Sequence, residues 1–268
     1  MQVIIRPDEG AAVSLVARLV ATALRRKPAL VLGLATGCTM EGVYSELVRM
    51  HREEGLDFAS CRTFSLDEYV GLAPDDPHSC RYFMDTRLFR QVNIDHRNTH
   101  LPDGLTVDFS AECERYERMI RECGGIDLQL LGIGVSGHIG FNEPLSALRS
   151  RTRGKALTPT TIRQNAPLFG GEARVPRRGI TMGVGTILES RSCVMLATGA
   201  QKAGIVARAV EGPITAMVSA SALQLHPHCS VVVDEAAAGR LTEKDYYRWI
   251  FENEPEWADF RTEAAPRP

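Results

Sequence analysis

The chain has 268 residues, with 31 Lys and Arg against 33 Asp and Glu, a formal net charge of −2 at neutral pH. That balance excludes a strongly basic nucleic-acid or membrane-surface binder. Hydrophobic residues at 44% and charged residues at 24% exclude global disorder. No apolar run reaches the roughly 18–20 residues of a bilayer span.

The opening MQVIIRPDEG lacks the basic-then-apolar pattern of a secretory leader. Seven widely spaced cysteines with no CxxC pair read as reduced thiols of a cytoplasmic protein. QVII (2–5) predicts a strand, and 8–27 a helix with Leu15, Val16, Leu19 and Val20 on its apolar face. ALVLGLA (29–35) is a continuous apolar run, the pattern of a strand buried on both faces of a parallel sheet. The loop Thr36-Gly37-Cys38-Thr39 then enters a helix carrying Val43, Leu47 and Val48 on its apolar side. A strand at 62–66, helices near 79–91 and 110–123, and a strand at 126–134 follow. CVMLATG (193–199) with the amphipathic stretch after it repeats the strand–loop–helix unit, and SVVVDE (230–235) supplies a late strand. This alternation predicts an α/β fold, an open, mostly parallel sheet covered by helices. One domain over 1–260 and a disordered tail over 261–268 complete the expected organisation.

Such sheets bind ligands at the carboxyl ends of their strands. The informative loops are therefore those after 29–35, 62–66, 126–134 and 193–198. Gly132-Ile133-Gly134-Val135-Ser136-Gly137 matches GxGxxG after a strand, which would suggest a dinucleotide site. The context rejects it, because Pro144 interrupts any helix that would follow and no acidic residue stands at the end of a second strand about 20 positions on.

Two polar strings stand at these strand ends. Asp67-Glu68-Tyr69-Val70-Gly71-Leu72 places adjacent carboxylates just past one strand, and Gly137-His138-Ile139-Gly140-Phe141-Asn142-Glu143-Pro144 places an imidazole and a carboxylate in a glycine-rich loop. Together with LGLATGCT (32–39), SRTR (150–153), TMGVGTIL (181–188), GAQKA (199–203) and ALQLHP (222–227), they resemble the glucosamine-6-phosphate deaminase/isomerase family, in order from about residue 29 to 235.

The resemblance implies a Rossmann-like open parallel sheet with helices on both faces, similar to the sugar-phosphate isomerase/deaminase fold, and conversion of glucosamine 6-phosphate and water to fructose 6-phosphate and ammonia, without metal or organic cofactor. It makes Asp67 the base that moves a proton from C2 to C1, and His138 the group that opens the pyranose. A histidine suits that step because its ordinary pKa lies nearest neutrality. Glu143 then holds the imidazole, and Ser136 stands two residues before it, where the family usually has Asp or Asn. For the substrate phosphate the resemblance implies Thr36, Gly37, Cys38 and Thr39 at a helix N-terminus, together with Lys202. It also implies a homo-oligomer, in some members a hexamer, activated by N-acetylglucosamine 6-phosphate at Ser146, Arg153 and Lys155.

Several positions depart from the family pattern. Cys38 and Met40 replace a Gly and a Pro of the first loop, Ala156 replaces a Thr of the effector site, and Ser136 carries no charge to stabilise a protonated His138. The arginine that usually clamps the phosphate falls on Pro167, and Arg163, four residues earlier, has the wrong spacing for a simple replacement. A deaminase of another amino sugar and a non-catalytic sugar-phosphate regulator therefore remain alternatives at this stage. His226 and His228 form an HxH pair with no third ligand nearby, so no metal is assigned. The aromatic stretch 246–251 is expected to pack against the core or a neighbouring subunit, since no basic patch surrounds it.

Overall fold

The computed structural model describes residues 1–261. The expected tail thus lies outside the described residues except for Arg261, which is not part of a loose end: its guanidinium donates to the carbonyls of Phe251 and Glu254.

The chain opens with strand β1 (Gln2–Arg6) and helix α1 (Glu9–Arg26). Asp8 caps α1 by accepting from the Ala11 N–H at 2.8 Å, and Arg25 and Arg26 sit in its last turn, where cations complement the helix dipole. Strand β2 (Val31–Leu34), buried throughout, leads into α2 (Cys38–Glu54), which stops at Gly55 in the left-handed region. Next come β3 (Arg62–Ser65), β4 (Asp67–Tyr69), α3 (Cys80–Arg87), β5 (Thr99–His100), α4 (Phe109–Glu122) and β6 (Leu128–Leu131). The second half contains β7 (Arg153–Ala156), α5 (Pro159–Phe169), β8 (Arg178–Thr181), α6 (Val184–Leu188), β9 (Ser192–Ala197) and α7 (Ala203–Val210). It closes with β10 (Cys229–Asp234), α8 (Lys244–Asn253) and α9 (Ala258–Arg261).

Seven strands form one parallel sheet in the order β1-β10-β9-β6-β2-β3-β5. From β2 the chain runs outward through β3 and β5, then returns to β6 on the other side of β2 and continues through β9 to β10. The strand order therefore reverses between β2 and β6, and in open α/β sheets that crevice is where ligands bind. A smaller antiparallel sheet, β4-β8-β7, stands beside it and pairs Asp67 with Thr181. The larger sheet packs most of the apolar core, while Tyr69, Cys80, Phe141, Leu157, Ile162, Phe169 and Val175 form a separate cluster with the smaller sheet and α5.

The structure trims several expected elements. The strand expected over 126–134 is paired only over 128–131, because Gly134 leaves the sheet and donates its N–H to the His138 carbonyl, starting a tight loop. No helix follows, as expected from Pro144. The helix expected near 79–91 splits into α3 and a single 3-10 turn at Phe89–Gln91. The smaller sheet had no signal, since DEY, RGKA and RGIT lack the apolar alternation of a strand. In the aromatic stretch Ile250 and Phe251 are buried and α8 packs on β1, whereas Tyr246 and Trp249 are exposed. Among the described residues no helix is long and apolar enough to cross a membrane, and all seven cysteines are free thiols.

Candidate active site

The loops that follow β2, β3, β6 and β9 emerge from four neighbouring strands at one end of the sheet, and they carry the residues singled out above. Asp67 begins β4, one residue beyond β3, and is 5% exposed. Burial, reinforced by the neighbouring Glu68 charge, pushes its carboxyl up to about 7. The two adjacent carboxylates have separate tasks. Glu68 accepts from the backbone N–H groups of Tyr69, Cys80 and Arg81 and so ties down the first turn of α3. Asp67 makes one side-chain hydrogen bond among the described residues, from the Cys80 thiol to Oδ1 at 3.8 Å.

The loop after β6 folds back against this carboxylate. A Cβ on Gly140 would lie 3.3 Å from Asp67 Oδ2 and 2.8 Å from Thr181 Oγ1, so only glycine lets the chain pass there. Two residues earlier, the His138 ring lies flat against Gly134, where a Cβ would come within 2.1 Å of Nε2. The middle glycine of the apparent dinucleotide fingerprint thus makes room for an imidazole, while Gly137 makes room for Val218 and Ile205.

His138 is nearly buried, and its Nδ1 lies 2.8 Å from Ser136 Oγ and 3.6 Å from Glu143 Oε2. With both oxygens on that side, the network assigns the proton to Nδ1 and leaves Nε2 as the free base. Burial lowers the His138 pKa, the Glu143 charge opposes that shift, and Lys202 adds to it. Glu143 is 1% exposed and accepts from the Thr158 N–H at 3.1 Å and the Thr158 hydroxyl at 3.2 Å. Thr158 is the N-cap of α5, so the carboxylate also sits at the positive end of that helix. The chain His138–Glu143–Thr158 links the imidazole to α5.

The residues expected to meet the phosphate are held less closely. Gly37 caps α2 with φ +119°, a conformation that glycine alone adopts readily, and no side chain caps the free N–H groups of that turn. Cys38 takes the first helical position and is exposed, while Met40 is buried and faces Gly132. Thr36 points its hydroxyl at the Cys80 sulfur, 3.6 Å away, and Thr39 is half-buried in the first turn. Lys202, in the turn between β9 and α7, is half-buried and donates to the Ile133 carbonyl at 2.6 Å. Burial lowers its pKa.

Pro167 lies inside α5 and is exposed, as is Arg163. Positions four apart share a face, so Arg163 sits one turn before position 167 on the same side of α5, with a 3.4 Å contact to Thr160 Oγ1.

At the expected effector site, Ser146 Oγ and Arg153 Nη2 are both buried with no hydrogen-bond partner among the described residues. Arg153 Nη1 donates to Asn142 Oδ1, and the side chain borders a cavity of about 620 Å³ between α4 and β7. Lys155 is half-buried on the same strand. Arg151, two residues before Arg153, is paired with Glu117 and Glu189. His226 and His228 are structural: His226 Nε2 lies 2.7 Å from the Ser190 carbonyl, and its Nδ1 accepts from the His228 N–H.

A family model described as glucosamine-6-phosphate isomerases/6-phosphogluconolactonase matches residues 9–232. The chain belongs to this family. It is 49% identical to a glucosamine-6-phosphate deaminase of Arthrobacter sp. (strain FB24), over 96% of this chain and 99% of that one. A glucosamine-6-phosphate deaminase of Streptomyces coelicolor is also 49% identical, with the same coverage. Among solved structures, one described as a monomeric glucosamine-6-phosphate deaminase superposes with a TM-score of 0.88 at 41% identity, covering 90% of this chain and 100% of that one. A 6-phosphogluconolactonase of Trypanosoma brucei superposes with a TM-score of 0.68 at 20% identity over 90% and 98%, a likeness of fold alone.

Three residues that touch the candidate site escaped the sequence reading. Cys80 and Thr158 reach Asp67 and Glu143 across more than ten residues of chain, and Asn142 bonds the carbonyls of Ile139 and Met182 to fix the histidine loop. Only Thr158 had a usable signal, because a Thr directly before a Pro marks a helix start.

Proposed function

We propose that this chain is a glucosamine-6-phosphate deaminase, converting glucosamine 6-phosphate and water to fructose 6-phosphate and ammonia. The observation that carries the reading is the approach of the Asp67 carboxylate to the loop that presents His138, at the point where the strand order reverses. Names and identities of the relatives support the same substrate.

Nε2 of His138 takes the proton of the anomeric hydroxyl and delivers it to the ring oxygen, so the C1–O bond breaks and the aldehyde forms. The aldehyde acidifies the proton at C2. Asp67 removes it through Oδ2 and returns it at C1 while the amine gives up a proton to O1, leaving a hydroxyl on C1 and an imine at C2. Water adds there, and the carbinolamine expels ammonia to give the ketose. A base whose pKa lies near the working pH suits a reversible transfer of this kind. The ammonium of the bound amino sugar also favours the ionised carboxylate.

The phosphate is assigned to the N-terminal turn of α2, Thr36 to Thr39, and to Lys202, with Arg163 taking the role of the arginine missing at Pro167. The same reading includes a cytoplasmic homo-oligomer and an N-acetylglucosamine 6-phosphate effector at Ser146, Arg153 and Lys155. The unpartnered Ser146 Oγ and Arg153 Nη2 favour the effector.

Ammonia release is the test, with glucosamine 6-phosphate, free glucosamine and other amino sugars as substrates and Asp67→Asn as the blank. Release from glucosamine 6-phosphate that disappears in the blank is expected. Release only from another amino sugar would transfer the reaction to that substrate. Binding of glucosamine 6-phosphate without release would make the protein a sensor.

A further inference from the structure

Resting on the deaminase reading, we propose that Cys80 is a positioning residue for the Asp67 base, orienting the carboxylate through an S–H donor to Oδ1 with the Thr36 hydroxyl behind the sulfur. The sulfur lies 3.8 Å from Oδ1 and 3.6 Å from Thr36 Oγ1, and Cys80 as a whole is 4% exposed. Its place is fixed independently. Glu68 holds the Cys80 N–H at 2.9 Å, and Ser79 caps the same turn of α3. The turn therefore carries the thiol to Oδ1 and leaves Oδ2 facing Gly140 and the histidine loop.

The choice of a thiol has a chemical consequence. A hydroxyl in this position would donate strongly to the carboxylate and stabilise its charge. The weaker S–H bond fixes direction while withdrawing little basicity, which agrees with an Asp67 carboxyl pushed up to about 7. Thr36 belongs to the loop assigned to the phosphate, so the Thr36–Cys80–Asp67 chain joins the anion-binding turn to the base.

The test compares Cys80→Ala and Cys80→Ser with the parent protein, after circular dichroism and thermal unfolding confirm that each is folded. Cys80→Ala should lower kcat by about tenfold or more with KM nearly unchanged, since misplacement of a catalytic group by about 1 Å can lower rates about a hundredfold. The acid limb of its kcat/KM profile should move to higher pH, because a donor to the charged form is gone. Cys80→Ser should recover most of kcat and move that limb to lower pH. Infrared difference spectra against Cys80→Ala supply a readout that needs no turnover: the S–H band of Cys80 should shift when Asp67→Asn is introduced. An unshifted band, or a folded Cys80→Ala protein with the parent kcat and pH profile, overturns the proposal alone. An inactive parent overturns the deaminase reading and this proposal with it.

Discussion

The two halves of the site are built differently. The half assigned to proton transfer is buried and interlocked: Asp67, His138 and Glu143 are each at most 9% exposed, and the bonds of Cys80, Ser136 and Thr158 reach them. The half assigned to the phosphate is open, with Cys38, Arg163 and Pro167 exposed and the α2 turn uncapped by any side chain. Departures from the family pattern divide the same way. Among the proton-transfer groups only Ser136 departs, and its hydroxyl still bonds the imidazole, whereas the phosphate half has a changed loop and a missing arginine. A buried network tolerates little change because each unmet polar group there costs about 1–3 kcal/mol. A solvent-facing anion site can move a cation by one helical turn and keep its ligand.

The largest expected effect comes from breaking the buried half. Asp67→Asn should lower kcat by about 10²–10⁴-fold, the usual contribution of a general base, with glucosamine 6-phosphate still binding. In the parent protein, kcat/KM should rise with pH through about 7 as Asp67 loses its proton. A rate independent of pH between 6 and 8 would mean that the Asp67 carboxyl is not held near 7 in the free protein.

The same substitution sharpens the comparison through stability. The Asp67 pKa is raised from 3.8 to about 7, so the folded state binds that proton more tightly than the unfolded chain does. The stabilisation is present at low pH and is lost as pH rises from 3.8 to about 7. At pH 8 Asp67→Asn should therefore be more stable than the parent, by up to a few kcal/mol at ~1.4 kcal/mol per unit. The gap should narrow as the pH falls below 7, and denaturant unfolding at several pH values reads it. A destabilised Asn variant at pH 8 would mean that burial strain is not what raises the carboxyl.

Glu143→Gln tests the link from the imidazole to α5. The amide keeps the shape but loses the charge beside Nδ1 and one acceptor for Thr158, so kcat should fall by about 10–100-fold. Thermal stability should fall modestly, because Glu143 also braces the N-terminus of α5. Equal losses in Thr158→Ala would place the effect in the helix rather than in the imidazole.

The larger sheet was legible because strands such as VLGL and LQLL are buried on both faces and read as apolar runs. The smaller sheet was not, because its strands are three or four mostly polar residues stabilised by pairing rather than by their own pattern. The site divided along a similar line. Asp67, His138 and Glu143 stood out as a local string of chemistry, but Cys80 and Thr158 become part of it only when helices bring them back. Arg163 shows what a linear count omits: four residues from Pro167 in the sequence, it lies one turn away on the same face of α5.

The smallest effects belong to the open half, and they test whether its arginine has moved. Arg163→Ala should raise KM for glucosamine 6-phosphate by about tenfold, near the lower end of the value of a charged hydrogen bond, and leave kcat unchanged. Pro167→Arg in that background should restore KM. The substitution removes a ring that crowds the carbonyl one turn back and supplies the missing N–H, so α5 should not suffer. It also puts a cation in the last turn, where the helix dipole favours one. Free glucosamine, which has no phosphate to bind, should show no change in either variant. If Arg163→Ala leaves KM intact while Lys202→Met raises it, the phosphate is held from the β9 side alone. The face of α5 then takes no part in binding.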